Sequence, residues 1–325
     1  MKRIIFIALL LMLVVTRCGS PPAGSISLPK IDTGVDANAW VTVPAGAYPS
    51  GLHDHMTPMD YDYEIMVTDV TVEQYTNFLN DALAANAITI GVIDVDAGYN
   101  VDDDELVALR QVEGVGGEYP GDPYDAHKHE MKILPGTKLY TPLKGDGIHI
   151  SFDGSQFTYN PEYANHPMTM VSWFGANAYC QFYNWRLPLD KEWEKAARGT
   201  EVNAEGHGRP FPWGEEIHPN SANYYASFDP MEDALGKLGS TTPVGFYNGK
   251  NYNGYQTEDA ASPYGLYDMA GNVWQWVGDD FPDMHYRYLR GGSYYSYEVD
   301  LRVWKINSSG PETYEPDIGF RCARD

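Results

Sequence analysis

A chain of 325 residues with 43% hydrophobic content can bury one large core or two modest ones, and its Gly 32, Pro 22 and Tyr 25 suit a loop-rich α+β fold better than a helical bundle. Against 45 Asp and Glu it carries only 22 Lys and Arg, and the resulting formal charge of −23 argues against nucleic acid as a partner, because that affinity rests on neutralising phosphates. The same acidity suits divalent cations held by oxygen ligands, or simply a soluble, mutually repelling surface.

The N-terminus reads as an export signal over residues 1–17: Lys2 and Arg3, an apolar run from Ile4 to Val15, and a stop at Thr16-Arg17-Cys18-Gly19-Ser20. A helix needs about 20 apolar residues to span a bilayer, and this run is shorter. Residues 18–37, opening with the Pro21-Pro22-Ala23-Gly24-Ser25 stretch, follow as a flexible tether. The layout resembles a bacterial lipoprotein signal with Cys18 as the acylated first residue, although Arg17 replaces the small residue usual before that cysteine. An ordinary cleaved signal peptide is the alternative. Both place the protein outside the cytoplasm, in the bacterial cell envelope or at the cell surface, and the first adds a membrane contact through a lipid anchor.

A single domain is expected over 38–325. Asn38 to Gly51 alternates apolar and small residues before a Pro/Gly break, predicting an opening strand and turn. Thr71 with Gln74 forms a capping-box pattern ahead of a helix whose Val72, Tyr75, Phe78, Leu79 and Leu83 share one face. From about 84 to 165 the pattern loosens, and the stretch reads as a long insertion with a little local structure and not as a separate domain. The pairs His53/His55 and His127/His129 can ligate a metal if their strands face one another, but neither has a zinc-type spacing, and exposed loop residues are the plainer reading. Ser172 caps a helix with Trp173, Ala176, Tyr179, Cys180 and Tyr183 at helical spacing, ended by Asn184. Asp190 to Arg198 forms the next, with Trp193, Ala196 and Ala197 inward and Gly199 as its stop. Beyond Gly199 the chain becomes irregular and rich in Trp, Tyr, Asn and Gly.

Ordered blocks then carry a resemblance. His166-Pro167, Val171-Ser172-Trp173, Arg186-Leu187-Pro188, Glu192-Trp193-Glu194, Pro212-Trp213-Gly214, the run Tyr264 to Trp276, Arg290-Gly291-Gly292-Ser293 and Gly319-Phe320-Arg321-Cys322 occur in the order of the formylglycine-generating enzyme (sulfatase-modifying factor) family, which this chain resembles. Val43-Pro44-Ala45-Gly46 and Asp69 to Tyr75 extend the likeness toward the N-terminus. The resemblance implies an α+β, C-type-lectin-like fold with little regular secondary structure. Family oxidases hold copper on two cysteines a few residues beyond the Gly-Gly-Ser turn. Copper(I) wants soft thiolates, and no cysteine stands between Gly291 and Arg321, so no copper and no formylglycine synthesis are expected.

Three functional readings remain. The leading one is a binding or scaffold protein that takes a protein or small ligand on a C-terminal face made by Tyr294, Tyr295, Ser296, Tyr297, Arg302 and Trp304. Plain packing of those rings is the alternative use of the same residues. The others are an enzyme using different chemistry beside Ser293, Ser296 and Arg302, and a variable ligand-binding protein of a diversity-generating retroelement. The resemblance further implies one or two calcium ions. One would be held by Asn223, Tyr224, Asp233 and Leu235, the other by Asp268, Gly271, Val273 and Gln275, where Gln275 replaces the usual glutamate and weakens the site. The same loops can instead close by hydrogen bonds alone. The family also supplies a disulfide between Cys180 and Cys322, against which stand two buried free thiols.

Overall fold

The computed structural model describes residues 28–96, 99–100, 105–106, 109–121, 133–236, 239–280 and 286–325. The signal, Cys18, residues 19–27 of the tether and His127/His129 lie outside the described residues. Strands Trp40–Val43 and Ala323–Arg324 flank Tyr63–Met66 in an antiparallel sheet, so both ends of the domain meet on one strand. A second sheet runs in the order Ile306–Ser309, Arg287–Arg290, Trp274–Asp280, Ile318–Phe320, and its last pairing is parallel. Between them lies the main core. Helix α1 (Val72–Ala84) packs Tyr75 and Phe78 against Tyr179 of helix α2 (Trp173–Phe182) and Phe320 of the second sheet, ring centroids 5.2–6.0 Å apart.

The helix ends follow the sequence chemistry. Thr71 Oγ1 accepts from the Gln74 N–H at 3.2 Å while Gln74 Oε1 accepts from the Thr71 N–H at 2.9 Å, so two otherwise orphaned donors are satisfied. Ser172 Oγ accepts from the Gly175 N–H at 3.1 Å, and Asn184 ends the turn after α2 in the left-handed region. Helix α3 (Asp190–Arg198) buries more than its apolar face: Glu192, Glu194, Lys195 and Arg198 are also inside. Arg198 reaches Asp54 and Glu194, Arg290 reaches Asp190 and Glu194, Arg186 pairs with Glu192, and Lys195 donates to the carbonyls of Pro44 and Gly46, so each buried charge has a partner. A fourth helix, α4 (Pro230–Leu235), starts at Asp229. Among the described residues no helix is long and apolar enough to cross a membrane.

The 84–165 stretch holds more structure than its sequence suggests. Thr89–Asp96, Leu109–Tyr119 and Gly136–Pro142 form an antiparallel meander, whose Val115 and Tyr140 join the main core. Its glycines mask the strand pattern. At Gly114 a side chain would stand 2.6 Å from Leu139 Cδ1 and the Thr141 carbonyl, so only glycine lets the neighbouring strand close in.

Cys180 and Cys322 are bridged, with Cα atoms 5.7 Å apart and both residues fully buried. The bond ties α2 to the residue after Phe320 and Arg321. Arg321 is itself fully buried, donating to the carbonyls of Met66 (3.1 Å), Val67 (3.1 Å) and Tyr267 (2.8 Å) and facing Asp69 at 3.1 Å.

Candidate functional site

Gly291 and Gly292 both adopt positive φ, +94° and +74°, a backbone path that side chains resist. The turn delivers Ser293 to the mouth of the second sheet. There Ser293 Oγ donates to Asp317 Oδ2 at 2.7 Å and accepts from the Tyr295 N–H at 3.2 Å, while the Ser293 N–H donates to Ser296 Oγ at 2.9 Å. Asp317 is anchored from the other side, since its carbonyl accepts from the Trp274 N–H at 2.8 Å. Burial raises its carboxyl above the usual range, and the Ser293 hydrogen bond draws it back.

These groups line a cleft of about 360 Å³ together with Trp274, Tyr295, Asp300, Lys305, Ile306 and Asn307. Lys305 already faces Asp300 at 3.5 Å. The cleft thus offers hydroxyls, two carboxylates, one engaged ammonium and aromatic faces. No histidine is among the residues lining it, and the Ser293 hydroxyl is hydrogen-bonded directly to the Asp317 carboxylate.

The six residues of the expected C-terminal face divide. Tyr295 and Tyr297 are 53% and 61% exposed, and Tyr297 lies 4.9 Å from the exposed Tyr225 ring. The backbone knits the two loops, because the Tyr225 N–H donates to the Ser296 carbonyl at 3.1 Å. Phe228 is exposed close by in sequence and holds a positive φ of 48°, an uncommon conformation for a bulky residue. Tyr294 instead is buried, its hydroxyl donating to the Pro316 carbonyl at 3.0 Å. Ser296 is buried at the cleft, whereas Trp304 is half-buried between the guanidinium groups of Arg198 and Arg302, at 5.1 and 5.8 Å. The sequence does not reveal Asp317 as the partner of Ser293, nor Trp274 and Lys305 as lining the same cleft. The one signal was the position of Asp317 just before Ile318-Gly319-Phe320-Arg321.

The loops that the resemblance assigns to calcium adjoin the same turn. The Asn272 N–H donates to the Asn223 carbonyl at 2.8 Å, the Gly271 N–H to the Gly291 carbonyl at 2.9 Å, and the Tyr294 N–H to the Asn272 carbonyl at 3.1 Å. In the second loop the Gln275 side chain is fully engaged. Its Oε1 accepts from Trp193 Nε1 (2.7 Å) and Arg321 Nε (2.8 Å), and its Nε2 donates to the Asp268 carbonyl at 2.6 Å. Two donors on one side and a carbonyl on the other fix the amide orientation. Asp268 Oδ2 accepts from the Gly245 N–H at 2.6 Å, and burial pushes its carboxyl up to about 6. With its N–H aimed at the Asp268 carbonyl, the Gln275 amide presents a donor where the usual glutamate would present an oxygen.

In the first loop Asn223 is buried, its Nδ2 donating to the Ser240 carbonyl (2.7 Å) and Asn272 Oδ1 (3.1 Å). Tyr224 is buried next to it, with its carbonyl accepting from the Ser227 N–H at 2.9 Å, and Leu235 is half-buried. Asp233 is exposed, and its carbonyl accepts from the Gly236 N–H at 3.2 Å. The carboxylates buried in this loop are those of Asp229 and Glu232. His53 and His55 lie 6.2 Å apart in an exposed hairpin. Among the described residues no group of three or more His, Cys, Asp or Glu is placed to hold a metal.

Comparison with known proteins extends the likeness across the chain. Murine formylglycine-generating enzyme (Mus musculus) is 28% identical over 306 residues, covering 88% of this chain and 74% of that protein. A bovine protein, inactive C-alpha-formylglycine-generating enzyme 2 (Bos taurus), is 34% identical over 164 residues, 48% of this chain and 50% of its own length. The serine/threonine-protein kinase Pkn1 of Chlamydia trachomatis is 36% identical over 183 residues, 51% of this chain, and the match spans only 25% of the kinase. Among solved structures, CarF superposes with a TM-score of 0.50 at 22% identity, covering 88% of this chain and 97% of CarF. The family model described as sulfatase-modifying factor enzyme 1-like domain matches residues 27–325, so this chain belongs to the FGE-sulfatase family, with its C-type-lectin-like α+β fold.

Proposed function

We propose that this protein is an exported, lipid-anchored binding or scaffold member of its family, without formylglycine-generating oxidase activity. The observation that carries the reading is the fate of its thiols. The sequence holds three cysteines; Cys180 and Cys322 are bonded to each other, and Cys18 precedes the domain at the lipidation signal. The cleft after the Gly-Gly-Ser turn therefore has hydroxyl and carboxylate oxygens where a copper(I) site needs thiolates. That the family includes a relative named as inactive, and a segment making up a quarter of a kinase, supports use of the domain without oxidation.

The cleft suits a small polar ligand or a projecting side chain of a partner protein. Asp300 balances Lys305, which leaves the Asp317 charge to favour a cationic group, and Trp274 and Tyr295 offer ring faces to it. Exposed Tyr295 and Tyr297 supply rigid contact area at the rim. Screening amines, amino acids and short basic or acidic peptides by ligand-observed NMR tests this: cationic members bind, and Asp317→Asn weakens them about tenfold. Equal binding of anionic and cationic members, unaffected by Asp317→Asn, refutes the cleft assignment. Lipidation is tested by fractionation, in which Cys18→Ala moves the protein from membrane to soluble fractions; an unchanged distribution removes the anchor.

A further inference from the structure

The second sheet has one edge covered and one edge open. Along Ile318–Phe320 the Phe320 carbonyl accepts from the Val70 N–H at 2.9 Å, and a side chain on Gly319 would stand 2.8 Å from the Met168 carbonyl, so neighbouring chain shields that side. The opposite edge is Ile306–Ser309, which among the described residues pairs only with Arg287–Arg290. Ile306 and Asn307 are exposed. Natural sheets blunt an open edge with charge, proline or a covering segment, because its free N–H and C=O groups accept a further strand. This strand reads Ile-Asn-Ser-Ser and carries neither charge nor proline.

The register shows which groups face outward. Ile306 lies opposite Arg290, Asn307 opposite Leu289 and Ser308 opposite Tyr288, with no bulge. The Ser308 N–H donates to the side chain of its neighbour, Asn307 Oδ1, at 2.9 Å, and so points away from Tyr288. Antiparallel pairs alternate between bonded and non-bonded, which turns the N–H and C=O of Ile306 and Ser308 outward and those of Asn307 into the sheet. Among the described residues no backbone hydrogen bond from beyond the sheet takes up the outward groups of Ile306 or Ser308.

The same strand rims the cleft, where Lys305, Ile306 and Asn307 stand with Asp317. Lys305 is engaged by Asp300, and among the described residues no Lys or Arg pairs with Asp317. A segment laid along this edge therefore carries its alternate side chains past a carboxylate that has no cationic partner.

We propose that Ile306–Ser309 is a strand-addition edge that takes an extended segment of a partner protein, whose lysine or arginine enters the cleft toward Asp317; the inference rests on the cationic-ligand reading of that cleft. Backbone hydrogen bonds to Ile306 and Ser308 supply affinity, and the cleft selects the side chain. A second copy of this chain is the poorer occupant, because two molecules of formal charge −23 repel.

Two probes separate the edge from the cleft. Nα-acetyl-lysine methylamide offers the side chain alone, and a capped threonine-rich peptide with one central lysine offers it on a strand. Both are titrated into the full chain by calorimetry. The peptide is expected to bind about tenfold tighter or more, the net worth of one or two backbone hydrogen bonds. Methylating alternate peptide nitrogens should erase that gain for one set and spare it for the other, since only one edge of a strand faces its neighbour. Ser308→Pro removes an outward N–H that an edge strand can lose, and should bring the ratio of the two affinities close to one, whereas Ser308→Ala keeps it. Should Ser308→Pro fail to fold, the methylated peptides decide alone, because they need no variant. If the capped lysine binds in an Asp317-dependent way but the peptide binds no tighter, or if both methylated sets behave alike, the edge is overturned and the cleft reading stands. If neither probe binds, the cleft reading falls and the edge with it. Self-association in sedimentation experiments that Ser308→Pro abolishes would make the occupant a second copy and overturn the proposal.

Discussion

Removing the bridge with the double substitution Cys180→Ala/Cys322→Ala should cost stability through the unfolded state and leave the native structure in place. The two cysteines are 142 residues apart in sequence. Chain-entropy arithmetic for a loop of that length gives about 5 kcal/mol at 25 °C, and small side-chain volumes lost at two buried sites change that little. The native end of the chain has other ties. The Cys322 carbonyl accepts from the Met66 N–H at 3.0 Å, and the Arg321 guanidinium grips three carbonyls, so the strand stays docked without the bond. Equilibrium urea unfolding should therefore show a loss of about 3 to 5 kcal/mol and a steeper denaturant dependence, because the uncrosslinked unfolded chain exposes more surface. Near-ultraviolet circular dichroism in buffer should match wild type. A loss below about 1 kcal/mol, or a native spectrum that collapses without denaturant, would refute the reasoning.

Buried His166, whose Nδ1 pairs with Thr241 Oγ1 at 2.8 Å, is lowered to about 3 by burial and by neighbouring His149, itself lowered to about 4 by burial. Its folded value lies below its unfolded value, so its contribution is intact above about pH 6.5 and is lost as pH falls. Relative to His166→Gln, wild type should lose about 3 kcal/mol between pH 6.5 and pH 4 in urea titrations; parallel pH profiles would show that His166 titrates normally. Gln275→Ala strands the Trp193 and Arg321 donors and the Asp268 carbonyl inside the protein and should cost about 3 kcal/mol or more by thermal melts, with a negligible loss contradicting the closed hydrogen-bond network.

The sequence is legible where one residue type has one local job. Thr71 with Gln74, Ser172, Asn184 and Gly199 mark helix ends because caps and left-handed turns are short-range chemistry, and the structure places each there. The meander within 84–165 was not legible, since Gly114, Gly116 and Gly117 look like loop residues until a neighbouring strand is seen to need their space. Burial of Glu194, Lys195 and Arg198 was equally hidden, because their partners Asp54, Pro44 and Arg290 lie about 100 residues or more away in sequence. In the cleft, Ser293 and Tyr295 could be nominated from the turn, but Asp317 comes from a different strand. Which acids of this loop are buried depends on where α4 begins, which Asp229 sets as N-cap and which spacing alone does not reveal.

The central claim is that the cleft binds without oxidising, and one assay addresses it. The purified, disulfide-bonded protein is incubated with copper(I), oxygen, a reductant mild enough to spare the bridge, and a cysteine peptide patterned on a sulfatase, and the peptide is followed by mass spectrometry. The account predicts a peptide cysteine unchanged beyond the copper-only control, and copper that does not survive desalting with the protein. Catalytic conversion of that cysteine to formylglycine would contradict it.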